Sequence, residues 1–83
     1  MKLFILLRPG SLWSMALFDE NSMLVLKNTL YSESALFEQI QEIISKYDVK
    51  KISFGGSPKN YVQKYLYRIV KLVPQSVEVE YEE

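Results

Sequence analysis

Apolar positions along the chain first alternate with polar ones, then recur every three to four residues, then alternate again, and these changes of period divide it into seven elements. Residues 2–8 are nearly all apolar, as in a strand buried at the centre of a sheet. Pro9-Gly10-Ser11 is a turn. Residues 12–19 form a second strand, with Trp13, Met15 and Leu17 on one parity and Leu12, Ala16 and Phe18 on the other. Glu20-Asn21 is a tight turn, and residues 22–28 form a third strand that sets Met23, Val25 and Lys27 opposite Leu24 and Leu26. Links this short make a three-stranded antiparallel meander.

The period then lengthens. Leu36, Ile40, Ile43 and Tyr47 recur at i, i+4, i+7 and i+11, flanked by Phe37 and Ile44, which predicts an amphipathic helix over 33–47. Ser32 is its expected N-cap, with Glu33 in the first turn facing the positive end of the helix dipole, and Asp48 ends it. Residues 51–54 read as a short strand closed by Gly55-Gly56. Ser57-Pro58 opens a second helix over 58–71, the serine as cap and the proline where a missing N–H costs nothing. Val62, Leu66 and Ile69 make its expected core face, with Tyr61 and Tyr65 beside them, and Pro74 stops it. Val77, Val79 and Tyr81 alternate with Glu78, Glu80 and Glu82, a strand with one solvated face. The expected fold is α/β, one domain over residues 1–83 in the order β-β-β-α-β-α-β, with a five-stranded mixed sheet and two helices.

Composition narrows the chemistry. With 83 residues and no cysteine there is no disulfide framework, zinc finger or thiol nucleophile. With no histidine there is no imidazole acid–base chemistry. The apolar run that begins the chain is too short for a secretory leader or a membrane span, so a cytoplasmic protein without a membrane role is expected. Ten basic and ten acidic residues cancel, but they are segregated. Lys46, Lys50, Lys51, Lys59, Lys64, Arg68 and Lys71 stand against Asp48 alone, and Glu78, Glu80, Glu82 and Glu83 crowd the end. A net charge of zero sets no long-range repulsion against self-association.

The element order resembles the ribonuclease H-like fold, shared by Holliday-junction resolvases and actin-like ATPases. Leu6-Leu7-Arg8-Pro9-Gly10-Ser11, followed by Met15-Ala16-Leu17-Phe18-Asp19, is similar to the strand, glycine turn and second strand of the resolvase-like branch. Ile52-Ser53-Phe54-Gly55-Gly56-Ser57-Pro58 also fits that branch. The resemblance implies a catalytic aspartate in strand one, and Arg8 stands there instead. Metal-dependent phosphodiester chemistry needs carboxylates converging on the ion. Strand one offers none, strand four ends in Gly55-Gly56, and Glu38 and Glu42 on one helix do not assemble such a site. No metal or cofactor is expected, and the resemblance implies a form without the nuclease chemistry.

Three sets of residues are candidate sites. Trp13, Met15, Tyr61 and Tyr65 are candidates for a protein interface, which favours aromatics at its centre. Gly55, Gly56, Ser57 and Lys59 join a strand end to a helix start, where free N–H groups attract anions; the same residues also read as a turn and a cap. Lys50, Lys51, Lys64, Tyr67, Arg68 and Lys71 are candidates for tracking a nucleic-acid backbone, or else a solvated basic face. The serines have no histidine base, and no enzyme is expected. The expected function is a small noncatalytic interaction or adaptor domain with a protein partner or a second copy of itself. The alternative is a nucleic-acid accessory protein working through the Lys50–Lys71 region.

Overall fold

A computed structural model describes residues 1–10 and 12–82. Ser11, last of the expected Pro9-Gly10-Ser11 turn, and Glu83, last of the expected acidic cluster, lie outside the described residues. The elements follow the expected order: β1 (Lys2–Leu6), β2 (Trp13–Phe18), β3 (Leu24–Leu30), α1 (Glu33–Lys46), β4 (Lys51–Gly55), α2 (Lys59–Leu72) and β5 (Glu78–Tyr81). The five strands form one mixed sheet in the order β3-β2-β1-β4-β5. β1 lies at its centre, antiparallel to β2 and parallel to β4. β3 is antiparallel to β2, and β5 is parallel to β4.

Both helical crossovers advance across the sheet in the same direction, from β3 over to β4 and from β4 on to β5. Right-handed crossovers that advance the same way lay their helices on the same face. The two helices accordingly lie side by side: Arg68 of α2 donates to Glu33 of α1 at 3.0 Å and its guanidinium stands 4.2 Å from the ring centroid of Phe37. Beneath them Leu3, Ile5, Met15, Leu17, Ile52 and Phe54 of the sheet meet Leu36, Ile40 and Ile43 of α1 and Val62, Tyr65 and Ile69 of α2, all buried. Among the described residues the opposite face of the sheet carries no helix.

Local chemistry accounts for where the element ends depart from expectation. Ser32 caps α1 as expected, its Oγ accepting from the Ala35 N–H at 3.1 Å. Ser57 does not cap α2. Pro58 occupies the cap position, its carbonyl accepting from the N–H groups of Tyr61 and Val62, while the Ser57 hydroxyl donates to the carbonyl of Leu7 beyond the end of β1. β3 begins two residues later than the alternation implies. The Asp19 carboxylate accepts from the N–H groups of Asn21 and Met23 at 2.9 and 3.0 Å, and Ser22 takes a left-handed φ of 63°, so the hairpin loop absorbs those residues. In α2 the buried stripe is Val62, Tyr65 and Ile69, with Leu66 only half-buried. The Tyr65 ring packs edge-on against Trp13, centroids 5.1 Å apart at 75°, which gives it an aromatic neighbour.

The two glycines closing β4 are required by the backbone. A Cβ on Gly55 would stand 3.0 Å from the backbone oxygen of Glu82, and Gly56 has φ of 83° with Leu6 Cδ2 3.2 Å from where its Cβ would be. Gly55→Ala and Gly56→Ala are each expected to destabilise the fold by about 1 kcal/mol or more. Phe54→Ala, in the centre of the core, is expected to cost about 3–5 kcal/mol, whereas Tyr67→Ala, on the exposed side of α2, stays within about 0.5 kcal/mol. Urea unfolding of the four variants checks this order.

Candidate functional site

The strand register places every residue of the uncovered face. Residues directly paired across neighbouring strands share a face, so the pairings Lys27–Ala16, Ala16–Phe4, Phe4–Ser53 and Ser53–Glu80 define one row across all five strands. A parallel row on one side runs Leu24, Phe18, Lys2, Lys51 and Glu78. On the other side run Thr29, Ser14, Leu6 and Gly55, with Glu82 reaching the same face through Ser53 and Lys2. The face thus has an apolar middle of Phe4, Leu6, Ala16, Phe18 and Leu24. All are half-buried at most, and Leu24 is 55% exposed.

Charge is unevenly spread around this middle. Lys2 pairs with Glu82 at 2.7 Å, and Lys51 lies 3.4 Å from Glu80 and 3.9 Å from Glu78. The buried hydroxyl of Ser53 donates to Glu80 at 2.9 Å, within reach of Glu82 at 3.3 Å. Lys27, at the β3 end of the middle row, makes no ion pair among the described residues. The face therefore carries unneutralised positive charge at its β3 edge and an excess of carboxylate at its β5 edge.

The interface candidates are only partly at the surface. Trp13 and Tyr61 are half-buried, but Met15 and Tyr65 are buried and belong to the core. The cause is parity: Met15 pairs with Ile5 and faces the helices, and Tyr65 fills the space beneath Trp13. Trp13, Tyr61 and Tyr65 instead floor a cleft of about 560 Å³ beyond the end of β1, with Arg8 and Tyr31 also lining it. Lys64 stands over the Tyr65 and Tyr61 rings, 4.9 and 5.7 Å from their centroids.

In the Gly55–Lys59 loop the backbone carbonyl of Ser57 accepts from the Tyr81 hydroxyl at 2.8 Å, while the serine hydroxyl is used on Leu7. That pair of bonds ties together the ends of β1 and β5 and the start of α2; Lys59 is exposed beside it. The basic candidates are dispersed. Lys50 pairs with Asp48 at 3.1 Å, Lys51 belongs to the uncovered sheet face, and Arg68 pairs with Glu33. Lys64, Tyr67 and Lys71 are exposed on α2.

Among the described residues no three His, Cys, Asp or Glu side chains are grouped so as to hold a metal ion, and no helix is long and apolar enough to cross a membrane. Comparison of the chain with family models, curated proteins and solved structures gives no match in any of the three.

The uncovered face is what reading the sequence element by element missed. Its signal was present in the alternation of Lys2, Phe4 and Leu6 with Leu3 and Ile5, and in the Val-Glu repeat of β5.

The hydrogen bond from Ser53 holds the Glu80 carboxyl below the ordinary glutamate range; partial burial opposes this and Lys51 adds to it. A carboxyl that titrates lower folded than unfolded stabilises the fold near neutrality, and the contribution is lost as pH falls through its folded value. Glu80→Gln is accordingly expected to lower the thermal midpoint at pH 7, with the gap to the parent chain closing as the pH falls below the ordinary glutamate range. Circular-dichroism melts across that range test it, and an undiminished gap in acid contradicts it.

Proposed function

We propose that this chain is a noncatalytic protein-interaction domain that binds through the uncovered face of its sheet. One observation carries the proposal: the helices cover one face only, and the other presents Phe4, Leu6, Phe18 and Leu24 in adjoining rows bordered by charge. An apolar centre with a charged rim is how interaction surfaces are organised. The lack of histidine and cysteine, and the use of the Ser53 and Ser57 hydroxyls and of the β5 carboxylates in internal contacts, support a binding role over a catalytic one. Element order, together with a sheet order consistent with it, supports reading the domain as a ribonuclease H-like form in which exposed Arg8 follows β1 in place of an acid. A cytoplasmic setting is part of the same reading.

A photoreactive phenylalanine at Leu24, on the uncovered face, is expected to give discrete protein adducts in the native cell. The same group at Tyr67, even more exposed but on α2, is expected to give none. Adducts at neither position, or at Tyr67 alone, overturn the proposal.

The nucleic-acid alternative is less well supported, because Lys50, Lys51 and Arg68 are ion-paired and Lys51 faces away from α2. No electrophoretic shift is expected with random DNA or RNA at low salt, the condition that favours phosphate contacts most. A salt-sensitive shift abolished by Lys64→Ala and Lys71→Ala together would restore the alternative.

A further inference from the structure

We infer that the occupant of the uncovered face is a second copy of this chain, packed sheet to sheet about a two-fold axis that runs parallel to the strands through β1. The inference rests on the proposed role of that face and specifies the partner.

Two kinds of two-fold axis lying between the sheets pack this face against itself. An axis parallel to the strands preserves height along them and exchanges the edges, so β3 of one copy lies over β5 of the other. Applied to the middle row, it sets Lys27 over Glu80 of the second copy and Glu80 over its Lys27, with Phe4 against Phe4 on the axis. An axis perpendicular to the strands keeps each edge over itself. It sets Lys27 over Lys27, Glu80 over Glu80 and Glu78 over Glu82, like charges throughout. Opposition of like charges suppresses one geometry and complementarity selects the other. The parallel axis opposes one like pair, Lys2 with Lys2, and otherwise sets Phe18 over Lys51 and Leu24 over Glu78.

Lys27 is the residue this arrangement explains. It stands exposed with no ion-pair partner among the described residues, at the same height as the carboxylate four strands away. Those four strand spacings span about 19 Å and five residues extend about 17 Å, so the face is smaller than the roughly 800 Å² per partner of a standard stable interface. The dimer is therefore in exchange with monomer and sensitive to protein concentration and salt.

Sedimentation velocity of the full chain from about 5 µM to about 500 µM tests the inference, that range spanning the affinities expected of a small interface. The parent chain is expected to dimerise across the range. Lys27→Glu and Glu80→Lys are each expected to weaken the dimer by about tenfold or more, since each variant opposes like charges at both symmetric contacts. A 1:1 mixture of the two is expected to regain the parent affinity. In the mixed dimer the introduced glutamate lies over the introduced lysine, and the retained Lys27 of one copy lies over the retained Glu80 of the other. Lys27 is exposed on an edge strand, so Lys27→Glu keeps the fold; should Glu80→Lys fail to fold, Lys27→Glu alone decides. A parent chain that stays monomeric, an unchanged affinity in Lys27→Glu, or a mixture of folded variants that does not associate overturns the inference. Discrete adducts from Leu24 to a different protein, with the parent chain monomeric, remove the second copy and leave the interaction role standing. Monomer together with no adduct removes both.

Discussion

The handedness of two crossovers governs most of this structure. A right-twisted strand feeding a helix returns to the sheet in one sense only, and here both returns advance toward β5. From that alone both helices fall on one side, and a two-layer domain results instead of three layers. Every other feature of interest is downstream. Leu3, Ile5, Ile52 and Phe54 are buried because they point toward the helices, and Lys2, Phe4 and Leu6 remain at the surface because they point away.

Period and punctuation made the elements legible. Leu36, Ile40 and Ile43 are the buried residues of α1, and Ser32 caps it, because a helix reads its partners through its own spacing and a cap is a contact between near neighbours. What escaped depended on contacts between distant parts. Ser57 has the composition of a cap, yet its hydroxyl is taken by Leu7, fifty residues away. Tyr65 displaced Leu66 from the core stripe because Trp13 of β2 supplies an aromatic neighbour. Met15 was grouped with surface aromatics because parity separates the faces of a strand without saying which face is covered. The uncovered face was legible in principle from β1 and β5, but only once the sheet order joined Lys27, Ala16, Phe4, Ser53 and Glu80 into a row.

Zero net charge has a structural meaning in this fold. The segregated bases and acids of the sequence meet again on the sheet and between the helices: Lys51 with Glu80, Lys2 with Glu82, Arg68 with Glu33. Exposed pairs of this kind contribute little stability individually. Their effect is on arrangement. They consume much of the basic stretch that looked available for phosphate, and they leave an imbalance across one face where the sequence shows only balance. The glycine loop is similar: residues with the composition of an anion cradle serve a close backbone approach to Glu82 and the latch through Tyr81.

The parallel pairing of β1 with β4 also sets the order in which the chain assembles. Lys2 and Lys51 are partners across forty-nine residues, whereas the β2–β3 hairpin closes a loop of a few. Loop closure must be overcome before a distant pairing returns any free energy, so sequence separation favours the meander and α1 forming ahead of the β1–β4 junction. Until β4 arrives, the central strand of the finished sheet is an edge strand with its hydrogen-bonding groups open, and the most apolar segment of the chain is the one most exposed to mispairing. The rate at which α1 delivers β4 to that edge therefore bears on how much of the chain escapes aggregation while it folds.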